Sequence, residues 1–278
     1  MEFQLKSRQK LLHFNKPQVM GIINVNASSF FEGSQAQTEE EVRKKADQMK
    51  EEGATFLDLG AMSTQPGSKE IPLKDEVKQI EFALKCLKKD NLKVLLSVDT
   101  YRLEVAQKAA ELGVDFINDI SAGEDERLLE FIANEELGYI AMHKQGVPET
   151  MQQNPIYDDV TKEVAEFLIK KNAQFQKLGI HSWCADLGFG FGKTLEHNFQ
   201  LLMEMKEIKN LVNKPMLVGV SRKGMIYRTL GTSAKEALNG TTAIHMAALM
   251  NGGDILRVHD VKEAIEVVSL FTAMKGNE

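Results

Sequence analysis

The chain has few cysteines and no excess of positive charge, and both shortages narrow its class. Only two of the 278 residues are cysteine, Cys86 and Cys184, far apart and in no metal-ligand spacing. This favours two reduced, buried thiols over a disulfide framework or a zinc site. Acidic residues number 40 against 34 Lys plus Arg, a formal net charge of −6. That balance argues against a protein that coats nucleic acid or an anionic membrane, so an anionic substrate requires locally placed cations.

Long hydrophobic runs are missing as well. The N-terminal sequence MEFQLKSRQKLLHFNK is basic but lacks the apolar stretch of a secretory signal. No segment approaches the roughly 20 apolar residues that a membrane-spanning helix needs. With 43% hydrophobic and 27% charged residues, the composition is typical of a globular protein. We therefore expect a cytoplasmic protein without a membrane or nucleic-acid partner.

Eight short apolar runs alternate with longer amphipathic segments. The runs lack polar residues at alternate positions, as expected for parallel strands covered on both faces. They are Val19–Val25, Phe56–Gly60, Val94–Val98, Phe116–Ile120, Tyr139–Met142, Trp183–Leu187, Met216–Val220 and Ile255–Val258. Apolar residues spaced three to four apart predict helices between them, including Thr38–Glu52, Leu73–Lys89, Arg102–Leu112, Asp159–Leu178 and Val261–Met274.

No linker or change of composition divides this pattern. It predicts an α/β chain folded as one (β/α)8 TIM barrel, a single domain over residues 1–278. An open doubly wound sheet is the rival fold. No G-x-G-x-x-G follows the first predicted strand, and such sheets usually have fewer strands.

Polar residues stand at or just after the ends of the eight runs, where a barrel of this kind builds its active site. In order they are Asn24, Asp58, Ser63, Thr64, Asp99, Asn118, His143, Asp186, Ser221, Arg222, Lys223, Arg257 and His259. Each alone is commonly a helix cap, a solvated surface group or a structural residue. Their convergence on one face of the barrel favours a functional site.

One part of this set suits a planar nitrogen heterocycle. Asp99, Asn118 and Asp186 provide acceptor oxygens and one amide. A buried carboxylate accepts two N–H donors from a guanidine-like edge. The side chains therefore indicate an aza-heterocycle at one end of the substrate.

The other part suits an anion. Arg257 and His259 are two residues apart on a predicted strand and point to the same side. Together with Lys223 or Arg222 they form a set able to hold phosphate or diphosphate. Asn24 offers an amide oxygen to a hard cation such as Mg2+, which commonly bridges phosphate oxygens.

A glycine-rich run, Gly188–Lys193, invites comparison with phosphate-binding loops. It fails the P-loop pattern, because no second glycine precedes a Lys-Ser/Thr pair at the required interval. We expect the glycines to shape a tight strand-to-helix turn and the two Phe rings to pack or to wall a pocket.

Seven segments, in order over nearly the whole chain, resemble the dihydropteroate synthase family of the folate pathway. They are VMGIINV…SSF, GATFLDLGAMSTQPGS, LLSVDTYRLEVAQKAAELGVDFINDISAG, AMHKQGVPETMQQNP, DLGFGFGKTLEHN, PMLVGVSRKGMI and GGDILRVHDVKEA. The family fold is a (β/α)8 barrel, in agreement with the strand count. The resemblance implies that 4-aminobenzoate attacks the methylene carbon of 6-hydroxymethyl-7,8-dihydropterin diphosphate, which yields 7,8-dihydropteroate and diphosphate. It also implies Mg2+ as cofactor and a homodimer.

The resemblance further implies roles for single residues. Substrate-binding positions of the family match Thr64, Asp99, Asn118, Met142, Asp186, Phe191, Ser221, Lys223, Arg257 and His259. Ser221 lies where aminobenzoate and sulfonamides are contacted, which would make the protein a sulfonamide target. The metal-binding position matches Asn24, and Lys223, Asp99 and Arg257 are expected to carry catalysis.

Two long loops depart from the family pattern. The first usually reads close to N-V-T-P-D-S-F, and here Ala27 and Ser28 replace the Pro and the Asp. The second usually reads close to S-T-R-P-G, and here Gln65 replaces the Arg. Each lost charge costs about 2–4 kcal/mol of transition-state stabilisation if nothing replaces it. An alternative is therefore a paralogue that binds pterin with weak or no synthase activity.

Two further alternatives use the same barrel. A methyltetrahydrofolate-binding methyltransferase shares the pterin floor, but its substrate has no diphosphate for Arg257 and His259 to hold. A Schiff-base aldolase that uses Lys223 as nucleophile has less support still, because nothing else in the sequence indicates that chemistry.

Overall fold

The computed structural model describes residues 2–25, 38–61, 71–88, 92–146 and 155–276. Its first element is an antiparallel hairpin of β1 (Phe3–Ser7) and β2 (Lys10–Phe14). This hairpin was not among the predicted elements. Its signal is the alternation of β1, in which Phe3, Leu5 and Ser7 are buried while the residues between them are exposed.

Eight parallel strands follow and close into a barrel. They are β3 (Gln18–Asn24), β4 (Phe56–Gly60), β5 (Leu95–Asp99), β6 (Phe116–Asp119), β7 (Gly138–Met142), β8 (Trp183–Asp186), β9 (Met216–Val218) and β10 (Ile255–Val258). Each strand pairs with the next along the chain, and β10 closes the barrel against β3. The predicted (β/α)8 fold is confirmed, and all eight predicted strands are present.

Helices lie between the strands and cover the barrel. They are α1 (Glu39–Glu51), α2 (Leu73–Lys88), α3 (Leu103–Glu111), α4 (Glu126–Asn134), α5 (Val160–Lys177), α6 (Leu195–Val212), α7 (Gly224–Tyr227), α8 (Leu238–Met250) and α9 (Val261–Lys275). The start of α1 shows why the sequence places a helix there. The Thr38 side chain accepts from the Glu41 N–H, and the Glu41 carboxylate accepts from the Thr38 N–H, a capping box.

The hairpin closes one end of the barrel. Phe3 and Leu5 pack with the inward-facing side chains at the strand starts, including Phe56 and Phe116. The rings of Phe56 and Phe116 meet edge-on at 5.4 Å between centroids. Because the strand starts are filled with apolar side chains, only the opposite end, where the strands finish, is free to hold a polar site.

A second, larger core fills the space between the barrel and the helices, and it includes side chains from both layers. Within the parts of the chain that the structure describes, no helix has the length and apolar character to cross a membrane.

Candidate active site

A cavity of about 880 Å³ lies at the C-terminal ends of the strands. Seven of the residues to which the family resemblance gives a role line it, namely Asn24, Asp99, Phe191, Ser221, Lys223, Arg257 and His259. The candidate cation Arg222 lines it as well. Asn118, Met142 and Asp186 do not line it but are buried beside it, with Asn118 paired in register to Asp99. Thr64, and the atypical loop residues Ala27, Ser28 and Gln65, lie outside the described residues.

The guanidinium of Arg257 joins carboxylates from two other strands. Its Nε donates to Oδ2 of Asp58 at 2.6 Å, and its Nη2 donates to Oδ2 of Asp99 at 2.7 Å. The Asn118 amide donates to the same Asp58 oxygen at 2.9 Å. Such charge-assisted bonds between buried groups are strong. Arg257 therefore bridges two acidic groups in addition to lining the cavity, a pairing that the prediction of a phosphate-binding cation did not include.

Asp58 stands among the polar residues of the strand ends, but no role was predicted for it from the sequence. It is fully buried in the middle of β4, and it pairs in register with Ser97 of β5. Its Oδ1 and the Ser97 hydroxyl are buried with no partner among the described residues. An acidic residue inside an apolar strand was the available signal, because buried carboxylates are rarely kept without a charge partner.

Asp99 has an unusual protonation balance. Its burial raises the pKa of the carboxyl to about 7, and the Asp58 charge adds to this rise while the Arg257 charge opposes it. Burial therefore outweighs the stabilisation of the charged form by Arg257.

Lys223 is held from two sides by the loop that follows β8. Its Nζ donates to the Phe189 carbonyl at 2.6 Å and lies 4.6 Å from the centre of the Phe191 ring. Burial lowers the pKa of Lys223 to about 8, and the Asp186 charge opposes the shift. The ammonium is thus the dominant form at neutral pH.

Asp186 faces this lysine across Gly219. A Cβ at Gly219 would lie 3.8 Å from both Asp186 Oδ2 and Lys223 Nζ. The other oxygen, Oδ1, accepts the Gly188 N–H at 2.8 Å. Burial raises the pKa of Asp186, and the Lys223 charge lowers it. One oxygen is therefore fixed by the backbone, and the other lies beside a glycine of the cavity wall.

Ser221 and His259 meet at the rim of the cavity. The Ser221 hydroxyl lies 3.1 Å from His259 Nδ1 and accepts the His259 backbone N–H at 3.2 Å.

Arg222, in contrast, does not join the expected cation group. Its guanidinium donates to Asp260 at 2.8 and 2.9 Å and to the carbonyls of residues 234 and 235.

Asn24 ends β3 with an exposed side chain in the cavity wall. A Cβ at Gly60 would lie 3.9 Å from Asn24 Oδ1 and 3.8 Å from Asp99 Oδ2, so the glycine leaves open space between the two oxygens. The described residues contain no group of three or more His, Cys, Asp or Glu side chains placed to hold a metal. Among those residues, the site thus suits an ion held mainly by its substrate, with one amide oxygen from the protein.

The glycine run forms the tight turn that the sequence predicted. Gly188, Gly190 and Gly192 have φ values of +68°, +81° and +62°, which non-glycine residues rarely adopt. A Cβ on Gly188 would also overlap the His143 carbonyl oxygen. Position 188 therefore needs glycine for both conformation and space.

Comparison with known proteins places this geometry in a family. A family model described as pterin binding enzyme matches residues 20–259. The dihydropteroate synthase of Escherichia coli K12 is 39% identical over 264 residues, covering 94% of this chain and 93% of the relative. That of Haemophilus influenzae is 34% identical over 274 residues, covering 97% and 98%.

Solved structures give the same result. A Yersinia pestis dihydropteroate synthase with a sulfonamide drug superposes with a TM-score of 0.91 at 35% identity, covering 98% of this chain and 99% of that one. The Xanthomonas albilineans dihydropteroate synthase with 4-aminobenzoic acid gives 0.90 at 31% identity, covering 100% of both chains. The chain therefore belongs to the dihydropteroate synthase family of pterin-binding enzymes and is a transferase.

Proposed function

We propose that this transferase joins 4-aminobenzoate to 6-hydroxymethyl-7,8-dihydropterin diphosphate. The aromatic amine attacks the methylene carbon, the carbon–oxygen bond to diphosphate breaks, and the amine loses a proton. The observation that carries this proposal is the convergence of buried acidic acceptors and cationic groups around one cavity. The near-full-length similarity to dihydropteroate synthases favours this activity over the non-synthase paralogue.

The acidic groups in the cavity wall and buried beside it fit the pterin. Asp186, Asn118 and Asp99 offer acceptors for the ring N–H groups, and Met142 packs with Phe191 in a small apolar cluster that suits the ring faces. If diphosphate departs before the amine attacks, the methylene carbon becomes cationic and is stabilised by the ring. The negative charge of the nearby carboxylates favours that cation.

The opposite half of the cavity fits the leaving group. Lys223, Arg257 and His259 supply N–H donors, and Lys223 and Arg257 also supply positive charge. Burial lowers the pKa of His259 to about 4, so its imidazole is neutral near pH 7. Asn24 would hold Mg2+ through its amide oxygen. When bound, Mg2+ would neutralise charge on the departing diphosphate. Catalysis in this scheme consists of orientation and charge stabilisation, so the protein supplies no nucleophile of its own.

A diphosphate-release assay with each component omitted in turn tests the proposed reaction. We expect release only when the pterin diphosphate, 4-aminobenzoate and Mg2+ are all present, and we expect the gene to rescue a folate-synthesis mutant. Pterin binding by calorimetry without turnover would instead establish the paralogue. In that case S28D combined with Q65R is expected to raise activity.

Lys223→Ala is expected to weaken binding of the pterin diphosphate at least tenfold at pH 7, because a charged hydrogen-bond donor is worth about 1.5–3 kcal/mol. Since the Lys223 pKa is lowered to about 8, wild-type affinity is expected to fall as the pH rises through 8. The K223A variant is expected to show no such fall in affinity at alkaline pH. Calorimetry from pH 6.5 to pH 9 measures both effects.

Lys6→Ala provides the matched control for Lys223, because Lys6 forms an exposed ion pair with Glu136 at 2.8 Å on the hairpin. It is expected to leave pterin affinity unchanged at every pH. Equal affinity of K223A and wild type would show that Lys223 takes no part in pterin binding.

We further propose a cytoplasmic homodimer that forms through the outer helices α6, α8 and α9, which pack side by side. Large apolar side chains stand exposed on all three, namely Met203, Leu211, Met250, Leu270 and Met274. Such a surface suits a second copy of the chain. The cytoplasmic location rests on a separate observation, since the two buried free cysteines agree with a reducing compartment. Sedimentation of wild type and L270E tests the assembly, and a monomeric wild type would contradict it.

A further inference from the structure

The glycine run after β8 ends in a buried lysine that the proposed reaction does not use. Lys193 is 3% exposed. Its Nζ lies 3.0 Å from the Gly188 carbonyl, 3.1 Å from the Phe191 carbonyl and 3.0 Å from His143 Nδ1. The His143 carbonyl is a fourth, longer contact at 3.5 Å. An ammonium has three N–H donors, so these contacts account for all of them. No donor is left for a substrate, although Lys193 belongs to the cavity wall.

Lys193 fixes the turn from the inside. The carbonyls that it binds belong to the first residue of the turn and to the residue just before its last glycine. The His143 contact links the turn to the end of β7. Burial lowers the pKa of Lys193 to about 7, and the Asp186 charge opposes that shift. The inward-facing carbonyls supply the partners that a buried cation requires.

The same turn holds the Lys223 ammonium. The Phe189 carbonyl accepts a hydrogen bond from Lys223 Nζ at 2.6 Å, and the Phe191 ring lies against the same ammonium. Both groups are within the segment that Lys193 clamps. A shift of about 1 Å in this turn would move both contacts, and displacements of that size reduce activity strongly in enzyme sites.

We propose that Lys193 is a positioning residue, which clamps the turn of residues 188–192 and thereby places the Lys223 ammonium for pterin binding. This inference rests on the proposed function, because it gives Lys223 a place in the pterin site. Lys193 contacts no substrate in this scheme. It acts through Phe189 and Phe191.

A double-mutant cycle tests the proposal with pterin diphosphate as the probe, measured by calorimetry. K193M is expected to raise the Kd about tenfold and to lower kcat, while the KM for 4-aminobenzoate changes less than threefold. K193R retains the charge and is expected to recover part of the affinity. In the background of K223A, adding K193M is expected to cost no further affinity, because positions that act through one another are not additive.

Lys209→Met is the matched control, because Lys209, like Lys193, donates to a backbone carbonyl. Its partners are the Gly252 carbonyl and the Asp254 carboxylate, at the opposite end of the barrel. It is expected to lower the melting temperature without changing the pterin Kd by more than twofold. If K193M does not fold, K193Q replaces it in the cycle.

Two results would overturn the clamp. One is an unchanged Kd in folded K193M, and the other is full additivity of the two losses in the double variant. Wild-type turnover is measured first, so that the two proposals fail separately. A wild type that binds pterin diphosphate without turnover contradicts the proposed function and leaves the cycle readable.

Discussion

Arg257→Met is expected to lower kcat/KM about 1000-fold and the free energy of unfolding by about 3–5 kcal/mol. The large double effect follows from the position of the guanidinium between Asp58 and Asp99, at 2.6 and 2.7 Å. Without it, two buried carboxylates face each other uncompensated. Because the Arg257 charge opposes the rise that burial causes in the Asp99 pKa, loss of the cation raises that pKa further.

Steady-state kinetics and urea unfolding measure the two losses in the same protein. Arg257→Lys is expected to be intermediate, because a compact ammonium does not reproduce the two-pronged contact of a guanidinium. The control is Arg127→Met, since Arg127 makes a similar paired contact to Asp125 on the exposed surface. It is expected to change neither quantity measurably. Wild-type kinetics in the Arg257→Met enzyme would show that the guanidinium has no role in the reaction.

Asp186→Asn is expected to lower kcat/KM by about 100-fold to 1000-fold while leaving stability within about 1 kcal/mol of wild type. The amide keeps the size of the carboxylate and still accepts the Gly188 N–H. It loses the charge and places a donor against the guanidine-like edge of the pterin. Because burial already disfavours the charged form of Asp186, a neutral side chain costs the fold little.

Asp254→Asn is expected to have the opposite effect, a loss of stability without a loss of activity. Asp254 is a fully buried carboxylate at the strand starts, where it accepts the Met216 N–H at 2.8 Å and pairs with Lys209 at 2.7 Å. Its neutral replacement is expected to cost about 1–3 kcal/mol of stability, because it weakens a buried charged network, and to leave kcat/KM unchanged. If both variants lose only stability, Asp186 has no part in pterin recognition.

The barrel could be predicted because its signals are local. Each strand is a run of apolar residues, which indicates burial on both faces. Each helix has apolar residues three to four positions apart, which indicates burial on one face. Both patterns can be recognised within a few consecutive residues. The hairpin at Phe3–Phe14 was missed because the basic character of this segment was considered and its alternation was not. That alternation has meaning only once the open end of a barrel is there to receive Phe3 and Leu5.

The site was predictable as a set of residues but not as a set of contacts. The strand ends identify which residues lie at the site, and seven predicted residues do line the cavity. They do not reveal whether a cation is free or paired. Arg222 and Arg257 have the same chemistry in the sequence, yet one bonds Asp260 on the rim and the other bonds Asp58 and Asp99 inside.

The sequence by itself therefore determined the eight-stranded barrel, the family and most members of the site, through patterns that repeat within a few residues. The tertiary structure decided the pairing of charges, including that of Asp58 with Arg257, and the contacts of Lys193 with the glycine turn. These depend on distances between residues as far apart as Asp58 and Arg257, which are 199 positions apart in the chain and 2.6 Å apart in space. Charge pairing depends on separation in three dimensions, and only closure of the barrel sets that separation.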